Sequence, residues 1–169
     1  MTKYIRYRSG STTGYAILDG ETVRPISGGL FGSHAETGAT LQLSGVALLA
    51  PCQPGKILAV GLNYKSHLGG RPQPTRPEIF YKAVTSLQDP GGPIVTPRDA
   101  TDLHYEGELV AVIGQPVRNA SVDEARAGIL QGSHCLIKDL GTRGLRTAAE
   151  VTLVVETHSQ DLAGLAGRQ

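Results

Sequence analysis

The stretch LHYEGELVAVI, residues 103–113, decides the fold prediction because it reads as one long strand. Side chains on a strand point alternately to its two faces, so Glu106 and Glu108 are predicted to share a face. The same face continues into Val110 and Val112, which are apolar. Two glutamates about 6.6–6.8 Å apart along a strand can converge on a hard cation such as Mg²⁺, which prefers oxygen ligands.

A solvated strand face is the alternative interpretation of these two glutamates, since charged outer faces are common in antiparallel sheets. Two details favour a cleft over open solvent. The face becomes apolar two residues later, and the run is entered through a polar loop, where functional groups collect. The spacing by itself leaves both interpretations open.

The composition of the whole chain excludes several classes of protein. The 169 residues fit one domain, or one domain with a small additional lobe. Because the net charge is only +1, the chain has no strong positive electrostatic field that would attract nucleic acid or acidic membranes. Neither a signal peptide nor a membrane-spanning run is recognisable, and Cys52 and Cys135 form no CxxC pair. The sequence therefore predicts a cytoplasmic protein that binds neither nucleic acid nor membrane.

Residues 1–50 are predicted to form a small N-terminal β lobe. Residues 3–8 and 13–18 alternate as strands do, and Asp19-Gly20 is typical of a type I′ hairpin turn. A returning strand is expected at 21–26, a loop at 27–40 and a short strand at Leu41–Leu49. The turn-rich run from Pro51 to Gly55 predicts the boundary with the next domain.

Residues 51–130 are predicted to form the first part of a second domain. Lys56–Val60 is predicted as a buried strand, Glu78–Lys82 as a second strand and residues 103–113 as the longest one. Ser121 and Glu124 fit a capping box, which predicts a helix that runs to about Leu130.

His67 is a candidate general base, because it follows a buried strand closely and an imidazole titrates near neutral pH. An ordinary surface or helix-capping histidine is the alternative, and the isolated residue does not separate the two.

Three motifs in the correct order give the chain a family resemblance. KILAVGLNYKSH at 56–67, PEIFYK at 77–82 and DLHYEGEL at 102–109, followed by VIG at 112–114, resemble the catalytic domain of the fumarylacetoacetate hydrolase (FAH) family. The resemblance covers roughly residues 1–130, including the N-terminal hairpin.

The resemblance implies a mainly β (α+β) fold, an FAH-type β-sandwich or roll. It further implies a homodimer with Mg²⁺ or Mn²⁺ held by three carboxylates. The substrate would be a small 2-oxo or 1,3-dicarbonyl acid, hydrolysed, decarboxylated or isomerised through a metal-stabilised enolate. Some family members have a glutamate three residues after the histidine, where this chain has Gly70. The segment with Gly69 and Gly70 is more similar to that of members that act on dioic acids of aromatic catabolism.

The same resemblance assigns roles to individual residues. Glu106 and Glu108 match the first two metal ligands. His67 matches the histidine that handles protons, Lys82 belongs to a segment that borders the pocket and is a second catalytic candidate, and Tyr64 matches a substrate-binding position.

The resemblance weakens over residues 131–169. Asp139 is the candidate third metal ligand, although it lies one residue late, and residues 144–169 are expected to add neither the second lysine nor further strands. The catalytic domain is therefore expected to be incomplete. Either the chain is a natural short variant, or the reading frame changes near residue 131.

Three hypotheses follow for the function. The first is a metal-dependent hydrolase or isomerase, and the second is an inactive truncated fragment or pseudoenzyme of the same family. The third is an unrelated β domain with a solvated Glu-x-Glu face.

Overall fold

The computed structural model of the chain describes residues 2–62, 68–95, 97–100, 103–129, 135–142 and 153–156. For 103–109, 135–142 and 153–156, the description covers the backbone and its strand pairing. All statements below concern these residues.

The N-terminal part folds as an antiparallel sheet. Its strands are β1 (Lys3–Ser9), β2 (Thr12–Asp19), β3 (Thr22–Gly28), β4 (His34–Glu36), β5 (Leu41–Gln42) and β6 (Ala47–Leu48). The order is β4-β3-β2-β1-β6, and β5 also pairs with β3. The predicted hairpin between β2 and β3 is confirmed, but the predicted type I′ turn at Asp19-Gly20 is wrong. Asp19 pairs with Thr22, so Gly20 and Glu21 are the central residues, and of these two only Gly20 has a positive φ, of +57°.

Two further details of the N-terminal prediction are wrong. The expected loop at 27–40 contains the end of β3 and all of β4, because Ile26 and Ser27 pair with Glu36 and Ala35. The expected strand Leu41–Leu49 is interrupted by a 3-10 turn at Leu43–Gly45, which the Val46 N–H closes by donating to the Leu43 carbonyl.

A second sheet holds the remaining strands. These are β7 (Lys56–Gly61), β8 (Glu78–Lys82), β9 (Leu103–Ile113), β10 (Cys135–Thr142) and β11 (Leu153–Glu156), in the order β10-β9-β11-β7-β8. Strand β11 is parallel to β9 and antiparallel to β7. The expectation that residues 144–169 add no strand is therefore wrong: Leu153–Glu156 is an apolar, valine-containing run that favours strand structure and lies between β9 and β7.

Small apolar side chains form the core on one face of this second sheet. The cluster comprises Cys52, Ile57, Ala59, Val110 and Val112, each at most 3% exposed. Phe31, from the N-terminal part, packs against it together with Phe80 and Leu87. The sequence-based expectation that the glutamate-bearing face of β9 becomes apolar is confirmed, because Val110 and Val112 are buried.

Helix α1 (Val122–Gly128) begins with the predicted capping box. The Ser121 hydroxyl accepts from the Glu124 N–H at 3.3 Å, and the Glu124 carboxylate accepts from the Ser121 N–H at 2.8 Å. The helix ends at Gly128 and not at Leu130, because Ile129 is extended and bridges to Ile113 of β9.

The fold is mainly β, as predicted. Within the described residues, no helix is long and apolar enough to cross a membrane.

Candidate metal site on the five-stranded sheet

The pairing of β9 with β10 brings the three predicted metal ligands to neighbouring positions. Asp139 lies directly opposite Glu106, and Ile137 lies directly opposite Glu108. Directly opposite residues of an antiparallel pair have Cα atoms about 4.5–5.5 Å apart and share a sheet face. The backbone therefore sets Asp139 on the face that carries both glutamates.

The end of β7 lies at the same height on the sheet as these carboxylate positions. Val155 of β11 pairs with both Ile57 of β7 and Val112 of β9, which makes those two residues level. Because β7 and β9 run in opposite directions, Gly61, four residues after Ile57, is level with Glu108, four residues before Val112. The chain therefore leaves β7 close to the level of the two glutamates.

The backbone turns sharply where β7 ends. Leu62 adopts a φ of +53°, the left-handed region that residues with a Cβ rarely enter. Strained conformations of this kind concentrate at functional sites. Tyr64 and His67, the predicted substrate-binding and proton-handling residues, follow within five positions but lie outside the described residues.

Lys82 lies on the same sheet face but further from the carboxylate positions. It pairs with Ile57, so it is about 13 Å along the strand direction from the level of Gly61 and Glu108. Its side chain is half-buried, and the Nζ atom lies 5.9 Å from the centroid of the Phe80 ring, within the range of a cation–π contact. Lys82 thus faces the correct side of the sheet without adjoining the three carboxylate positions.

Glu78 is a residue of this face that the sequence interpretation did not select. It pairs with Gly61, which sets it level with Glu108, and its Oε2 atom lies 3.7 Å from where a Cβ on Gly61 would be. The alternation in EIFYK would have identified it, since Glu78 and Lys82 are four residues apart and share a face.

A separate cavity of about 260 Å³ lies where the N-terminal part meets the second sheet. Its lining consists of Arg6, Ala50, Cys52, Gln53, Pro54, Val84, Leu87 and Asp89. Asp89 is fixed there, because its Oδ1 accepts from the Ala50 N–H at 2.8 Å. Nearby, burial raises the pKa of Tyr15, the neighbouring Cys52 raises it further and Arg6 opposes the rise. Cys52, which lines this cavity, also belongs to the core cluster of the second sheet, and none of the three predicted metal ligands is among the lining residues.

The donor set fits a hard divalent cation. Three carboxylates on two adjacent strands would offer the oxygen ligands that Mg²⁺ and Mn²⁺ prefer. Among the residues whose side chains are described, no group of three His, Cys, Asp or Glu could hold a metal ion. Glu106, Glu108 and Asp139 are described by their strand positions, so the fit rests on their register and chemistry.

Comparison with known proteins identifies the family. Residues 56–167 match the family described as "Fumarylacetoacetate (FAA) hydrolase C-terminal", and residues 2–51 match "Rv2993c-like, N-terminal". The chain therefore belongs to the fumarylacetoacetate hydrolase family, as the three motifs predict.

Individual relatives give the same result. The chain is 38% identical to Protein Rv2993c of Mycobacterium tuberculosis over 74% of its own length and 51% of that protein. It is 40% identical to 2,4-didehydro-3-deoxy-L-rhamnonate hydrolase of a Sphingomonas species, over 53% of its length and 31% of the relative. The structure of 2-hydroxyhepta-2,4-diene-1,7-dioate isomerase from Mycobacterium marinum superimposes with a TM-score of 0.75 at 31% identity, covering 92% of this chain and 64% of the isomerase.

These matches bear on the open alternatives. An unrelated β domain, the third hypothesis, is wrong, because the family match covers the Glu-x-Glu strand. The chain spans about half the length of the M. tuberculosis relative. The family match continues through residue 167, and the proposed change of reading frame near residue 131 stays a prediction.

Proposed function

We propose that this chain forms part of a divalent-metal-dependent enzyme that hydrolyses, decarboxylates or isomerises a small 2-oxo or 1,3-dicarbonyl acid. Glu106, Glu108 and Asp139 would hold Mg²⁺ or Mn²⁺. His67 would transfer the proton at the carbon beside the carbonyl, with Tyr64 on the substrate side. An inactive member of the same family is the alternative.

The register between β9 and β10 is the observation that supports this proposal most. The sequence predicts Asp139 as the third carboxylate, although it lies one residue later than the family resemblance implies. Its pairing opposite Glu106 gives this choice a structural reason, since the two residues share a face at adjacent strand positions. A solvated Glu-x-Glu pair would not require a third carboxylate there.

The carboxylates and Lys82 would have separate roles in the reaction. The carboxylates would fix the cation at the level where β7 ends, which is also where the backbone turns at Leu62. A bound divalent cation supplies positive charge that stabilises the negative charge developing on a carbonyl oxygen. The Lys82 ammonium, on the same face, would attract the carboxylate of the substrate as it approaches.

A dioic acid of aromatic catabolism is the substrate class that we propose within this range. The M. marinum relative is by name an isomerase of a seven-carbon dienoic diacid. A diacid has a second carboxylate several carbons from the reacting centre, and Lys82 is displaced from the carboxylate cluster along the same face. We also propose that the protein is a cytoplasmic homodimer.

A titration with MnCl₂ followed by calorimetry tests the metal site. We expect wild-type protein to bind Mn²⁺, and Glu106→Gln to lose binding by at least tenfold, because one of three anionic ligands becomes neutral. Glu21→Gln, an exposed glutamate of the N-terminal part, is the matched control and should bind like wild type. Equal binding by wild type and Glu106→Gln would contradict the proposed site.

Turnover separates the active enzyme from the inactive alternative. With Mn²⁺ or Mg²⁺ present, conversion of an acylpyruvate or of oxaloacetate is expected, and EDTA should abolish it. A folded protein that binds the cation through Glu106 but converts neither substrate would support the inactive family member.

A further inference from the structure

Strand β8 lies at one edge of the second sheet as the described strands form it. In the order β10-β9-β11-β7-β8 it pairs with β7, and no strand of the described part of the chain pairs with its other side. Such an edge is a template for pairing with another strand. Proteins often protect such edges with proline or with charged side chains. β8 has no proline, and its two charged residues, Glu78 and Lys82, have opposite signs.

The outer face of β8 is apolar and exposed. Ile79 is 62% exposed and Tyr81 is 74% exposed, and they alternate with Glu78, Phe80 and Lys82 on the other face. An exposed isoleucine and tyrosine beside an open backbone edge are typical of a surface that another chain covers.

The sequence of β8, EIFYK, is complementary to itself when two copies pair antiparallel about Phe80. Glu78 then lies opposite Lys82 of the partner subunit, and Ile79 lies opposite Tyr81 of the partner subunit. A twofold axis repeats both pairs, as a symmetric dimer interface requires. Opposite charges and aromatic–aliphatic pairs directly across a ladder are stabilising, by about 0.2–1 kcal/mol each.

Other arrangements of the same two strands lack this complementarity. Parallel pairing in register sets Glu78 opposite its own copy and Lys82 opposite its own copy, which repel. An antiparallel shift of two residues sets Glu78 opposite Phe80 and leaves an unmatched charge at each end. The charge pattern therefore selects one orientation and one register.

We propose that a second copy of this chain pairs with β8 to form a sheet that continues across a twofold axis. The pairing specifies the surface of the homodimer and so rests on that part of the proposed function. It also brings Glu78 of the partner subunit directly opposite Lys82 of this chain.

Charge reversal with rescue tests this pairing, with sedimentation velocity over a range of protein concentrations at low salt as the measurement. Wild type should dimerise. E78K and K82E should each weaken the dimer by about tenfold or more, because both attractive pairs become repulsive. The double variant E78K/K82E restores opposite charges and should return the dissociation constant to within a few-fold of wild type.

Two further variants cover a failure of the charge variants to fold. Tyr81→Lys places a charge on the apolar outer face and should weaken the dimer, whereas Val95→Lys, at an 80% exposed valine outside β8, should leave it unchanged. Circular dichroism confirms that each variant is folded.

The possible failures are distinguishable. Monomeric wild type would contradict both the homodimer and this surface. A wild-type dimer that E78K, K82E and Tyr81→Lys all leave intact would contradict the surface alone. Neither result bears on metal binding by Glu106.

Discussion

The two sheets of this protein differ in how far apart along the chain their paired strands lie. In the N-terminal sheet, β1, β2 and β3 pair with their sequence neighbours through tight turns. In the second sheet, β11 inserts between β9 and β7, about forty and ninety residues earlier in the sequence. Apart from β6, which pairs with β1 about forty residues earlier, the first sheet is built from short-range pairings, whereas the centre of the second depends on long-range pairing. The carboxylates belong to the second, so the candidate site depends on contacts that form at a greater entropic cost.

Removing core volume from the second sheet should have the largest effect on stability. Ile57 is 3% exposed and packs among Ala59, Val110 and Val112. Ile57→Ala is expected to lower the free energy of unfolding by about 2–5 kcal/mol, through lost burial and the cavity left behind. Urea denaturation measures the loss. Ile94→Ala, at a 51% exposed isoleucine, should change the value by less than about 0.5 kcal/mol, and an equal loss in both variants would contradict the assigned core.

The stability of the N-terminal sheet should be sensitive to substitution of Gly28. Gly28 has a φ of +85°, and a Cβ there would lie 2.6 Å from the Ser33 carbonyl oxygen. Gly28→Ala is expected to cost more than the roughly 1–2 kcal/mol of the left-handed conformation alone.

Gly10→Ala is the matched comparison for Gly28→Ala. Gly10 also has a positive φ, of +57°, but no atom lies within 4 Å of its built Cβ. Thermal unfolding should show the smaller loss for this variant. The reverse ranking would contradict the close approach of β3 to the Ser33 carbonyl.

Removing the N-cap of α1 should cause a smaller loss of stability, and this loss should depend on pH. Ser121→Ala is expected to cost about 1 kcal/mol at neutral pH, the usual value of a serine N-cap. Hydrogen bonds from the Ser121 N–H and hydroxyl lower the pKa of the Glu124 carboxyl. The stabilisation from this carboxylate is therefore present above the ordinary glutamate pKa and is lost as the pH falls through the lowered value.

A pH series on both proteins checks this dependence. The difference in stability between wild type and Ser121→Ala should shrink on acidification below the ordinary carboxyl range. A difference that grows towards acid pH would contradict the capping box.

The sequence predicted local structure well because local structure has local causes. The hairpin of β2 with β3, the capping box at Ser121 and the long strand at 103–113 each depend on residues within a few positions of one another. The errors at the β2–β3 turn and at 27–40 arise where strand pairing, and not propensity, decides. Asp19 pairs with Thr22, and β4 is a strand because β3 lies beside it.

The sequence predicts members of the candidate site but not their arrangement. The motifs indicate Glu106 and Glu108, and Asp139 is the aspartate nearest to the expected third position. No local pattern shows that Asp139 pairs with Glu106, because a register is set by the whole sheet. The same long-range pairing places Glu78 level with Glu108, a residue that the sequence interpretation omitted. Strand β11 was missed because four residues in a tail of weak resemblance give little signal.

The register of β9 with β10 is the central claim, and disulfide formation measures it directly. In a Cys52→Ser/Cys135→Ser background, Glu106→Cys/Asp139→Cys places two cysteines directly opposite one another, with Cβ atoms close enough to bond. Glu106→Cys/Lys138→Cys is the control, because the second cysteine is shifted by one residue to the other face. Under mild oxidation, mass spectrometry of digests should find the disulfide in the first variant and not in the second. Equal yields, or a disulfide in the control alone, would contradict the register and the carboxylate site built on it.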